Sequence, residues 1–262
     1  MKIWSWVRTA NRFTLYPTRY CARIYLLVQG RSIINKHGSA VPDLAKLRSY
    51  KDKKMKLNSQ RDLFDLPDDI IYLNCASQSP QLKETTQTGQ ASIARKARPW
   101  NLEASERLAT VETARQLFGQ IIGSSADNIA IVPSVSYGVA TAAANIPIRA
   151  GQEIVMIEEE FPSDYYSWEA LARSRNASIV TVKRPSDFDW TSAMVAQIGE
   201  NTAIVTVPNC HWTDGSLIDL VQIGQRVREV GAALVVDVTQ SVGAGRLDMA
   251  EIQPDFLVSA GY

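Results

Sequence analysis

The stretch Ala233-Leu234-Val235-Val236-Asp237-Val238-Thr239-Gln240-Ser241 sets an acid directly behind four apolar residues. A short Val/Leu run of this kind reads as a buried strand. A carboxylate at the end of such a strand is costly unless something partners it. Two partners fit: a helix terminus that the acid caps, or a cation such as a protonated ring nitrogen.

Working outward from Asp237, the same alternation recurs. Asn128–Pro133, Glu153–Ile157, Ser178–Val182, Ala203–Val207 and Asp255–Val258 read as strands. Between them lie helical patterns. Glu103–Ile122 has apolar residues near helical spacing, and Gly123 sits at its C-cap. Ser136–Asn145 is a helix of small residues, Ser163–Arg175 is started by Pro162, and Asp189–Ile198 is helical. Asp219 caps a helix that runs to Val230 and ends at Gly231. The fold class is therefore α/β: a mostly parallel sheet with helices on both faces. In such sheets ligands bind beyond the carboxyl ends of the strands, so the residues after each apolar run are the candidates.

Ser134-Val135-Ser136 follows the first run and opens a helix, where free amides and a hydroxyl can hold phosphate. The same residues also read as a plain serine N-cap, and no P-loop pattern is present. Phe161 follows the second run, as a core residue or as a ring that lies against an aromatic ligand. Asn209 begins a polar loop, Pro208–Gly215, and an Asx-turn would explain it. Thr239 and Gln240 follow Asp237, and Ser259-Ala260-Gly261-Tyr262 follows the last run.

Bulk properties narrow the classes. The 262 residues suffice for a sizeable core, and a net charge of +1 gives no reason to expect a nucleic-acid partner. No apolar run approaches the ~18 residues that a membrane span needs. Cys21, Cys75 and Cys210 are too few and too scattered for a disulfide framework or a metal set, so a reducing, cytoplasmic setting is expected. The charge is unevenly spread: residues 1–54 carry 12 Lys/Arg against two acids, Asp43 and Asp52. This segment is expected to be a poorly ordered basic extension, with Met55 as an alternative start. A targeting segment and a basic binding arm are the other readings. Residues 55–262 form the expected folded part.

Several motifs stand in the order and spacing of a known family. They are Tyr72-Leu73-Asn74-Cys75-Ala76, Phe161-Pro162-Ser163, Pro208-Asn209 with Thr213-Asp214-Gly215, Val236–Ser241, and Ser259-Ala260-Gly261-Tyr262. From about residue 57 onward the chain resembles the class-V aminotransferase-like enzymes, which use pyridoxal 5′-phosphate (PLP). That group includes cysteine desulfurases, kynureninases and aminotransferases. The resemblance implies the large domain of a fold type I PLP enzyme, a small-molecule amino-acid substrate and a homodimer. It implies that Asp237 pairs with the pyridinium nitrogen and that Gln240, together with Asn209, bonds the phenolic oxygen. Phe161 would stack on the ring, where many desulfurases carry histidine. Val135 and Ser136 would lie in the phosphate turn, with Ser259 and Tyr262 as the last phosphate contacts.

In the family, Ser-Ala-Gly-Tyr is followed directly by the Schiff-base lysine. Residue 262 is the last here, and Lys56, Lys83, Lys96 and Lys183 stand at other positions. No catalytic residue is therefore assigned. The second, C-terminal domain is expected to be missing, and the chain as given to be an inactive fragment. Three alternatives stand beside an aminotransferase or Cβ-lyase: a cysteine desulfurase or selenocysteine lyase, a non-catalytic truncated product, and a Rossmann-like nucleotide binder. Against the last, Gly243-Ala244-Gly245 lacks the third glycine of the dinucleotide fingerprint.

Overall fold

A computed structural model describes residues 3–9, 12–18, 24–29, 58–76 and 78–261. Compactness divides the chain into two units, residues 1–33 with 109–262, and residues 34–108.

The first unit is built on a seven-stranded sheet. In chain order its strands are β3 (Ile24–Gln29), β4 (Ile129–Val132), β5 (Glu153–Ile157), β6 (Ser178–Val182), β7 (Thr202–Pro208), β8 (Ala233–Asp237) and β9 (Phe256–Gly261). Their spatial order is β4-β3-β9-β8-β7-β5-β6. The neighbours β9, β8, β7, β5 and β6 are all parallel. β3 runs antiparallel to both β4 and β9. The mostly parallel α/β sheet expected from the sequence is thus observed. Two further strands, β1 (Ile3–Thr9) and β2 (Arg12–Thr18), form a separate antiparallel hairpin.

The helices around this sheet are α2 (Ala104–Ile122), α3 (Val135–Asn145), α4 (Pro162–Arg175), α5 (Trp190–Gln197), α6 (Leu220–Val230) and α7 (Met249–Ile252). All but the last follow the patterns read above to within a residue or two. The helix α1 (Lys83–Lys96) belongs to the second unit. Asp219 caps α6 by accepting from the amides of Val221 and Gln222. Gly231 ends it at φ 72°, a left-handed conformation that glycine adopts without a Cβ penalty.

Alternation along the strands sends side chains to opposite faces, and each face has its own core. Val155, Ile157, Val205, Leu234 and Leu257 pack with Trp190, Met194, Ile223 and Val227. Ile154, Met156, Ile204, Val235 and Val258 pack with Val139, Ala142, Trp168 and Ala172. Burial of this kind contributes about 25 cal/mol per Å² of apolar surface and supplies most of the drive to fold.

Among the strands read from the sequence, one boundary differs by more than a residue. β9 does not stop at Val258 but continues through Gly261. Its pairing with β3 runs on to Gly261, so backbone hydrogen bonds carry the strand past the apolar residues.

The order of the strands matters for function. From β5 the chain goes outward to β6, then returns to the other side of β5 as β7. Such a reversal opens a crevice at the carboxyl ends of the two strands.

Candidate functional site

Phe161, Asn209, Asp237 and Gln240, half of the residues singled out by sequence, stand at or after the carboxyl ends of β5, β7 and β8. Asp237 is the last residue of β8, and its Oδ1 accepts from the Thr239 amide at 2.8 Å. The Thr239 hydroxyl accepts in turn from the Ala260 amide at 3.1 Å, which ties the turn to β9. Asn209 lies beside this turn, and its amide donates to the Asp237 carbonyl at 3.2 Å. The Asn209 side chain closes its own loop by donating Nδ2–H to the Ile218 carbonyl at 3.1 Å. Gln240 is half-buried on the same turn.

Asp237 has acidic company that the sequence reading missed. Glu160 and Asp164 both feel its charge. Glu160 ends the turn after β5, and its Oε1 accepts from the Phe161 amide at 2.8 Å. Asp164 lies in the first turn of α4, is only 2% exposed, and its Oδ2 has no hydrogen-bond partner. Burial pushes all three carboxyls up. It raises Glu160 to about 8, aided by the nearby Asp237. It holds Asp164 well above its usual range, aided by Asp237 and then Glu160. It raises Asp237 as well, against the Thr239 bond that lowers it. Among the described residues no cation forms an ion pair with any of the three.

Phe161 precedes α4 and lies in neither core, with 46% of its surface exposed. Trp212 meets its ring edge-on, centroids 5.4 Å apart at 84°.

The phosphate-turn candidates lie at the start of α3. Ser134 caps that helix by accepting from the Tyr137 amide at 3.0 Å. Val135 is buried while Ser136 is exposed in the first turn, which carries the partial positive charge of a helix N-terminus. Ser259 is fully buried inside β9, and its hydroxyl donates to the Ala260 carbonyl at 2.9 Å. Tyr262 lies outside the described residues.

A second polar knot stands beside the acids and is structural. His211 is fully buried and stacks on Trp190 at 5.1 Å and 9°. Its Nδ1 accepts from the Thr213 amide at 3.3 Å, which leaves Nε2–H to donate to the Glu158 carbonyl at 3.2 Å. Arg184 pairs with both Glu159 and Asp214 and lies over the Trp190 ring. These contacts bind the loop after β7 to the turn after β5.

Asp164 left a faint trace in the sequence. It stands four residues before Trp168 and eight before Ala172, both buried, so helical period puts it on the buried face of α4. Glu160 left none, because Glu158-Glu159-Glu160 reads as a solvated acidic run.

The aminotransferase class-V family model matches residues 71–262. The chain belongs to the aminotransferase class-V family. Its relatives include a probable cysteine desulfurase of Methanothermobacter thermautotrophicus, 27% identical over 74% of this chain and 50% of that protein. A kynureninase of Deinococcus radiodurans is 25% identical over 84% of this chain and 54% of its own length. The chain spans about half the length of the curated relatives it matches. Among solved structures, cysteine desulfurase from Thermococcus onnurineus NA1 superposes with a TM-score of 0.65 at 20% identity, over 75% of this chain and 51% of that one. At that identity the likeness establishes the fold alone.

The family's cofactor can be tested against these residues. A pyridinium ring needs an acid for its nitrogen, a flat surface for its face and positive ends for its phosphate. The unpaired carboxyls, the open Phe161 ring and the α3 N-terminus have that chemistry, and the orphaned Asp164 oxygen is one that a cation would relieve. The residues fit.

Proposed function

We propose that this chain carries the PLP-binding half of an enzyme acting on an amino acid, of aminotransferase or Cβ-lyase type. The observation that carries the reading is the acid cluster around Asp237, buried at Asp164 and half-buried at Glu160 and Asp237, which pairs with no cation among the described residues. When bound, PLP supplies an electron sink for a bond broken at the α- or β-carbon of an amino acid. Asp237 would keep the ring nitrogen protonated. Gln240 and Asn209 would orient the phenolic side of the ring, and Phe161 would cover one face and exclude water from it. The Ser136 hydroxyl and the backbone amides of Val135 and Ser136 would hold the phosphate, with the backbone around Ser259 and with Tyr262.

Cysteine desulfurase activity is the alternative; Cys210, beside Asn209, is a poor nucleophile for it, its thiol pushed up by burial and then by Asp214. A homodimer and a cytoplasmic setting go with the family reading. No helix among the described residues is long and apolar enough to cross a membrane.

Pyridoxamine phosphate tests the reading, because it needs no lysine to bind. Titration followed by the ligand's own fluorescence should give saturable binding, with pyridoxamine lacking the phosphate far weaker. Absence of saturable binding, or equal affinity for the two ligands, would overturn the proposal.

A further inference from the structure

Trp212 differs from the other aromatic residues of its neighbourhood. His211 and Trp190 are fully buried and stacked, whereas Trp212 remains 48% exposed. It nonetheless makes two directed contacts, both to the turn after β5. Its ring meets Phe161 edge-on, and its Nε1–H donates to the Glu159 carbonyl at 2.8 Å. Glu159 has φ 56°, a left-handed conformation that a residue with a Cβ adopts only under constraint. Arg184 holds the Glu159 carboxylate, and Trp212 holds its carbonyl. The strained residue is therefore fixed two positions before Phe161. Phe161 itself lies in neither hydrophobic core, so no buried packing sets its ring plane. Free rotation about its side chain would leave the ring without a fixed orientation.

We infer that Trp212 is a positioning residue: it sets the plane of the Phe161 ring, by its edge contact and by its bond to the turn, so that the ring presents a fixed face to the cofactor. The inference rests on the cofactor reading above. The indole does not need to touch the cofactor. The two rings meet edge to face, the positively polarised edge of one against the electron-rich face of the other, the geometry that aromatic pairs prefer.

A double-mutant cycle with pyridoxamine phosphate tests this on the full chain. Trp212→Leu should weaken binding roughly 5- to 10-fold, the scale of one aromatic pair, and reduce the circular dichroism induced in the bound ring. Trp212→Phe keeps a ring edge but loses the N–H donor, and should recover part of both signals. Phe161→Leu should weaken binding alike, and the double variant should be no weaker than Phe161→Leu alone. If the two losses multiply, Trp212 acts independently of Phe161 and the inference fails. It also fails if Trp212→Leu binds as tightly as the wild type. If Trp212→Leu does not fold, as judged by its melting curve, Trp212→Phe carries the cycle in its place. Absence of binding by the wild type would instead overturn the cofactor reading on which the inference stands.

Discussion

Two knots of charge sit at the carboxyl ends of the same sheet, and they are built in opposite ways. Arg184, Glu159 and Asp214 form a set in which each acid meets a cation, and His211 joins it through the Thr213 hydroxyl. Burial alone would raise Asp214, but the Ser216 amide and Arg184 hold it below its usual value. Lys183 does the same for Glu158, through a direct hydrogen bond. Glu160, Asp164 and Asp237 pair with no cation among the described residues, and burial pushes all three up. The balanced set locks the loop after β7 onto the turn after β5. The acidic set has no such counterpart, and acids perturbed this strongly beside a crevice are characteristic of functional sites.

The sharpest way to break this contrast is to neutralise the acid assigned to the cation. Asp237→Asn keeps the shape and removes the charge. It should weaken pyridoxamine phosphate binding by about 100-fold, the scale of losing one partner of a buried ion pair. Fluorescence titration reads this, and a loss of less than about 3-fold would mean that Asp237 is only a turn residue.

The next effect is on stability and its dependence on pH. The acidic carboxyls are raised in the folded protein above their unfolded values, so the folded form holds its protons more tightly. The stability they contribute is complete below the ordinary carboxylate range. It is lost as pH rises toward 8, where Glu160 titrates. The melting temperature of the ligand-free protein should therefore fall between pH 5 and pH 8. Asp164→Asn should flatten that fall and raise the melting temperature at pH 8 by about 3–6 °C. A wild-type melting temperature that rises over this range would contradict the assignment.

The balanced knot should respond differently. Arg184→Met leaves Glu159 and Asp214 without their cation and should lower stability by about 1–2 kcal/mol, because the pairs are partly exposed. Its melting temperature should drop by similar amounts at pH 6 and pH 8, unlike the Asp164 variant. The smallest effect lies in the loop between the knots. Gly215 has φ 75° and open space where a Cβ would stand. Gly215→Ala therefore meets only backbone strain, at about 1 kcal/mol, measured by chemical denaturation.

The contrast between the knots also explains what could be read from the sequence. The strands from β4 onward were legible because each is a short apolar run closed by turn residues, whereas β1, β2 and β3 were not read as strands; α6 was legible to the residue because Asp219 and Gly231 cap it. Asp237 stood out because an acid directly behind four apolar residues is conspicuous. Glu160 and Asp164 did not, because an acid in a polar run or a first helical turn is ordinarily solvated. Only tertiary packing buries them. The end of β9 was misread for a related reason: Ser259–Gly261 lack apolar side chains, and their strand conformation comes from pairing with β3. The Arg184 knot joins residues ~30 positions apart, and that distance in sequence is invisible to local pattern.

The state of the cofactor's ring nitrogen tests the central claim most directly. Pyridoxamine phosphate labelled with ¹⁵N in the ring can be bound to the protein at a pH where the free ring has lost its proton. The chemical shift of the bound nitrogen should be that of the protonated ring in the wild type and of the neutral ring in Asp237→Asn. A neutral ring nitrogen in the wild-type complex would contradict the assignment of the acid cluster as the site of the cofactor's cation.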